Sequence, residues 1–276
     1  TAVAFSGNSA RCAVIGGSIK NTSGYGAAIG GEECFVRDAD ISYTGGIGIV
    51  VTGGNEYILK HGGNYAENNT VTKTGRSMSI KTAISVAGCG NRISNNHMYD
   101  VPTQGITASG MENIIEKNII ERTNLEMGDT GGIYFLNYGM GYGSKIRYNI
   151  VKDSVGIAEQ PGFSTEGALG IYLDDLTSGV EVTGNIIYNV REPALFGHGG
   201  RNLTFDNNVI INCDESIRVT KTAIKKNLDA DTGVSAVNIR KYDNDIINGK
   251  YPEAVGALSD DFGEPKYNTV TNNVIY

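Results

Sequence analysis

Tryptophan is absent from this chain, and proline occurs only 5 times and histidine 3 times in 276 residues. Scarce proline beside 38 glycines argues for many tight turns and against a flexible proline-rich linker. No run of 18 apolar residues occurs, so no membrane-spanning helix is encoded. A basic excess is also lacking. The net charge of −7 disfavours nucleic acid and anionic membranes as partners, because phosphates call for a basic face. A local basic patch would still accommodate a polyanionic substrate. Four cysteines without CxxC spacing give no zinc motif, and no metal is expected. No signal peptide opens the chain. It begins mid-pattern at Thr1 and stops mid-pattern at "NNVIY", as a piece trimmed at one or both ends would.

What is present is a repeat. The segments "NRISNNHMYDV", "NIIEKNIIERT", "VEVTGNIIYNV" and "LTFDNNVIINC" share an apolar residue, polar positions ending in Asn, and a further apolar residue. The recurrent residues are Asn69, Asn96, Asn118, Asn149, Asn185, Asn208 and Asn273. Asn96 and Asn118 are 22 residues apart, as are Cys12 and Cys34. A short apolar strand follows each repeat, as in "AISVAG", "GIYFLN", "GIYLDD" and "ALFGHG". One such unit cannot bury its own apolar face, but a stack can. The period therefore predicts an all-β fold, a right-handed parallel β-helix forming a single domain over residues 1–276. Stacked strands lie roughly 4.8 Å apart, so equivalent residues form columns, and an Asn column would bond amide to amide along the stack.

Longer spacings mark insertions. Asn118 to Asn149 and Asn149 to Asn185 carry the extra loops "TNLEMGDTGG" and "GIAEQPGFSTEG", a wall for a groove. The long gap before Asn273 predicts an excursion at about 219–266, partly helical. Cys12 and Cys34 on neighbouring coils are spaced for a disulfide, although two stacked thiols are the favoured reading. Cys89 and Cys213 look unpaired, and His61 and His97 read as ordinary surface residues.

Aligning the strands on Ile133, Ile171, Leu195 and Ile217 as inward residues yields two outward columns, because side chains alternate. One reads Tyr134, Tyr172, Phe196, Arg218; the other reads Leu136, Asp174, His198, Thr220. An outward aromatic row beside a carboxylate and an imidazole suits a sugar, whose C–H faces pack on rings while its hydroxyls meet polar groups. The same tyrosines would also serve a plain cross-strand stack, and Asp174–Asp175 a solvated or capping turn. Glycoside hydrolysis needs a second carboxylate. Asp129 is the candidate, with Glu126, Glu159 and Glu166 as alternatives. In flat register Asp129 and Asp174 lie too far apart, so the pairing requires Gly131–Gly132 to fold the loop back over the groove.

With "GDTGGIYF", "GIYLDDLTSGVEVTGNIIYNV" and "FGHGGRNLTFDNNVIINC" in that order, the chain from about Asn91 onward resembles the catalytic β-helix of glycoside hydrolase family 141. That group holds an α-L-fucosidase and a xylanase. The resemblance implies a polysaccharide- or glycan-cleaving enzyme. Its catalytic pair would be Asp129 with Asp174 or Asp175. On the hydrolase reading of the outward columns, Tyr134, Tyr172, His198, Arg201 and Arg218 would hold the substrate. It implies a secreted, periplasmic or extracellular location and no cofactor. Such families usually carry an N-terminal cap and further sandwich-like domains, and against that pattern the sequence reads as short at both ends. The order of "DD", "GHG" and "IRVTK" is also similar to polygalacturonase-type hydrolases. Two other readings stand beside hydrolysis. One is a polysaccharide lyase or epimerase acting on uronic acids, with Ca2+ on Asp174–Asp175 and His198, Arg201, Arg218 and Lys221 supplying cationic or basic groups. The other is a non-catalytic carbohydrate-binding β-helix.

Overall fold

A computed structural model describes residues 1–77, 82–154, 156, 167–222 and 229–276. The chain winds as a parallel β-helix of three strand rows. The first row runs from Ala13–Ile15 through Arg92–Ser94 to Thr269–Thr271, and every neighbouring pair in it is parallel. The second row starts at Ser18–Lys20, and the third at Val3–Phe5 and Ala27–Ile29. Rows two and three fuse late in the chain, where the strands Ile186–His198 and Val209–Thr220 run through the corner between them.

The corner between rows one and two is built by asparagine. Asn69, Asn96, Asn118, Asn149, Asn185, Asn208 and Asn273 form one continuous ladder. Each side-chain N–H2 donates to the next Oδ1 at 2.9–3.0 Å. The same Oδ1 also accepts the backbone N–H of the preceding Asn. From Asn69 to Asn208 these amides are almost wholly buried, so the ladder satisfies backbone donors that water cannot reach. The residue before each ladder Asn turns left-handed, as at Asn95 (φ 57°) and Asn207 (φ 54°). A second, shorter ladder joins Asn64, Asn91 and Asn113 ahead of the first row. Cys34 and Cys12 continue it: the Cys34 N–H donates to Asn64 Oδ1 and the Cys12 N–H to Cys34 Sγ. The two cysteines therefore stack, and both remain free thiols.

Inside, isoleucine, valine and leucine from all three rows form one core, from Ala27 to Ile210. At the corner between rows two and three, Gly132 and Gly170 stand where no side chain fits. A Cβ on Gly132 would meet Val151 Cγ1 at 2.6 Å, and one on Gly170 would meet the Ala194 carbonyl oxygen at 2.4 Å. After Thr220 the chain leaves the coil, forms short helices at Val234–Arg240, Asp245–Lys250 and Pro252–Gly256, and rejoins the first row at Thr269. Ile239, Tyr242, Ile247 and Ala254 seat these helices on Met111, Met140 and Tyr142 of the coil flank.

Candidate active site

The third row carries the site. Its pairing runs Ile133↔Ile171↔Leu195↔Ile217, with Tyr134, Tyr172, Phe196 and Arg218 in the next column. Leu136 pairs Asp174, and His198 pairs Thr220. Read along the whole row, the outward column is Ala4, Ala28, Val50, Ser85, Thr107, then Tyr134, Tyr172, Phe196 and Arg218. The switch from small to aromatic residues coincides with the lengthening of the strands from three residues to seven at Thr130–Leu136.

The aromatic rings face one another rather than solvent. Tyr134 meets Tyr172 edge to face at 5.3 Å, Tyr172 stacks on Phe196 at 5.0 Å, and Phe196 stacks on His198 at 5.3 Å. Tyr172 is 3% exposed and Phe196 8%, so the open sugar platform expected from alternation is not what these rings form. Their faces are spent on packing, reinforced by the Arg218 guanidinium 5.4 Å above Phe196. What they present instead is oxygen. Tyr134 Oη donates to Asp174 Oδ2 at 2.7 Å, and Tyr172 Oη lies 3.3 Å from His198 Nδ1.

Asp174 is the hub. Its Oδ1 accepts from the Asp175 backbone N–H at 2.7 Å and pairs with His198 Nδ1 at 2.8 Å. Burial alone would push this carboxyl up, but the bonds from His198, Tyr134 and Asp175 outweigh it and hold the group below the usual carboxylate range. The partner shift is reciprocal: the bond to Asp174 raises the His198 imidazole. Burial and the Asp174 charge push both tyrosine hydroxyls far up, so they stay protonated donors. Three donors thus converge on the two oxygens of Asp174.

Asp129 shares this cleft. A cavity of about 270 Å3 is lined by Asp129, Tyr172, Asp174, His198 and Arg218, together with Leu169, Glu192 and Phe196. Seven residues in flat register would span roughly 23 Å, far more than such a cavity. Between the two carboxylates' ends of the row, Thr130, Gly131, Gly132 and Ile133 are all buried, without alternation. Asp129 itself is exposed at the rim in a left-handed turn (φ 49°), its N–H donating to the Gly167 carbonyl at 3.2 Å.

Other expected residues fall elsewhere. Asp175 does not line the cleft; it and Leu176 take left-handed backbone (φ 42° and 65°), which aims the Asp175 N–H at Asp174. Arg201 was expected to hold substrate and is corrected here. It is 3% exposed, ion-paired with Asp260, and donates to the Asp260 and Ala257 carbonyls at 2.6 and 3.2 Å. It pins the helical excursion to the coil. Glu126 borders a separate groove with Tyr43 and Arg76. Glu159 and Glu166, with most of "GIAEQPGFSTEG", lie outside the described residues.

Sequence reasoning missed Glu192. It lines the cleft, accepts from the Gly167 N–H at 3.2 Å and lies 3.7 Å from Arg218. The available signal was its place three residues before the aligned Leu195, on the side where Asp129 also lies. His61 is likewise more than a surface residue. It contacts the buried Glu112, on a first-row flank where grooves of about 430 and 480 Å3 open. His97 pairs with Glu121 at 3.1 Å.

Coil architecture and outward polar cleft together define a parallel β-helix with a candidate site on its third face. The chain belongs to the right handed β-helix region family, whose model matches residues 59–232. No curated protein matches it. Among solved structures, it is similar to the Dettilon tailspike protein, at 14% identity and a TM-score of 0.47. The match covers 75% of this chain and 49% of that one, so the chain spans about half the tailspike's length.

Proposed function

We propose that this protein is a glycoside hydrolase that cleaves a polysaccharide or glycan in the third-face cleft, outside the cell or in the periplasm. The observation that carries the reading is one carboxylate kept ionised by three donors, sharing a small cleft with a second carboxylate at its rim. Glycosidic cleavage needs this asymmetry: one carboxyl gives a proton to the leaving oxygen, and the other acts as base or nucleophile. Asp174, held below the ordinary range, fits the anionic role. Asp129, at the rim of the same cleft, is assigned the acid role. His198 and Tyr134 position Asp174, and Arg218 and Glu192 give polar contacts for sugar hydroxyls. The "GDTGGIYF" and "GIYLDD" motifs that carry the resemblance to glycoside hydrolase family 141 supply both carboxylates.

The test is a panel of plant, host and bacterial glycans assayed for two products. Hydrolysis releases reducing ends without ultraviolet-absorbing product, and both Asp129→Asn and Asp174→Asn remove that release. An unsaturated, ultraviolet-absorbing product would overturn the reading in favour of a lyase. Binding without turnover of any glycan would overturn it in favour of a binding protein.

A further inference from the structure

At the corner where the third row leads into the first, three side chains from successive coils converge: His61, Cys89 and Glu112. One ligand atom from each lies within 4.8 Å of the others. Nothing in the hydrolytic reading uses them. Cys89 and Glu112 belong to consecutive coils, tied by the bridge between Cys89 and Met111. His61 arrives from the hairpin loop of the coil before.

The local backbone is shaped around the imidazole. Gly90 is left-handed (φ 66°), and a Cβ there would lie 2.2 Å from His61 Cγ, so only glycine lets the ring lie against the chain beside Cys89. Gly143 does the same on the other side, where a Cβ would collide with Tyr251 Oη at 2.2 Å. Tyr251 Oη in turn donates to Glu112 Oε1 at 2.8 Å, leaving Oε2 directed at His61. A carboxylate with one oxygen fixed by a phenol and the other offered to a ligand position is how outer groups orient metal ligands.

We infer that His61, Cys89 and Glu112 form a zinc site. Imidazole, thiolate and carboxylate on one centre is a borderline-soft set that suits Zn2+ over Ca2+ or Mg2+. Zinc bonds of roughly 2.0–2.3 Å place ligand atoms about 3–4 Å apart, so the present spacing needs only small side-chain adjustments. On binding, the Cys89 thiol loses its proton to solvent as the Zn–S bond forms, and the ion replaces the direct contact between His61 and Glu112. The His61 side chain is 57% exposed while Glu112 is 8% exposed, so the ion enters from the groove and a water completes its shell. Lys250 also pairs with Glu112 and is half exposed; it competes with the ion and can swing away.

The experiment uses the full chain. After dialysis against micromolar ZnCl2, bound metal is counted by mass spectrometry, and Co2+ is then substituted to read the thiolate-to-cobalt charge-transfer band. The expected result is one equivalent per chain and a charge-transfer band. Both are lost in Cys89→Ser and His61→Ala and retained in Cys213→Ser. Tyr251→Phe weakens affinity about tenfold, and Lys250→Met strengthens it several-fold. Because His61→Ala changes an exposed side chain, its loss of metal does not reduce to misfolding. Binding that survives Cys89→Ser, or cobalt binding without a thiolate band, would overturn the site. Neither readout depends on glycan turnover, so the zinc site and the hydrolase reading fail separately.

Discussion

The coils before Thr130 and those after it share one scaffold yet present opposite third faces. Early strands are three residues long, and their outward column holds Ala28, Val50, Ser85 and Thr107. Later strands lengthen to seven or more residues, and the column becomes Tyr134, Tyr172, Phe196 and Arg218. The inward residues barely change: Ile49, Ile84, Ile106, Ile133, Ile171 and Leu195 are all fully buried. Core and ladder therefore hold the spiral throughout, and they leave the outward column free to vary.

That division can be broken in order of expected effect. Asp174→Asn removes the anionic group, and turnover should fall by on the order of 10²–10⁴-fold with far-ultraviolet circular dichroism unchanged. Tyr172→Ala empties a packed ring and should cost about 3–5 kcal/mol in urea unfolding. Thr107→Ala, in the same column of the early coils, should stay within about 0.5 kcal/mol.

The ladder gives the complementary contrast. Asn149→Ala strands the Ile115 carbonyl and the Asn118 N–H in the interior, and it should cost about 3 kcal/mol. Asn273→Ala, on the last coil where the residue is only half-buried, should cost under about 1 kcal/mol. Equal costs would show that the ladder is not a buried network.

A further contrast concerns pH. The folded His198 titrates above its ordinary value, so its pairing stabilises fully below the unfolded imidazole's range and fades as pH rises through the raised value. Asp174, held low, contributes above its unfolded range and loses its effect as pH falls through the lowered value. The pair thus stabilises most from about pH 4 to about 6.5. His198→Gln should cost about 1–3 kcal/mol in that window and less at alkaline pH, as read from thermal unfolding across buffers.

Much of this was legible in the sequence because a coil repeats its own address. The Asn spacing located the corner, and aligning Ile133, Ile171, Leu195 and Ile217 reproduced the strand register residue by residue. Side-chain direction at corners was not legible. Arg201 follows "GHGG" closely in sequence, but the left-handed turn at Gly199 (φ 78°) carries it round to the helical excursion. The rings of Tyr172 and Phe196 point outward as alternation requires, yet they are covered by one another and by Arg218. Period alone cannot show what lies above a column. His61, Cys89 and Glu112 escaped notice because a hairpin bridged at Asn55 and Lys60 breaks the period just before His61.

The most direct test is a crystal structure of Asp174→Asn soaked with an oligosaccharide that the wild-type chain shortens. A sugar ring seated between Asp129 and residue 174, against His198 and Arg218, is the predicted result. A sugar bound on another face, with the third-face cleft empty, would contradict the account.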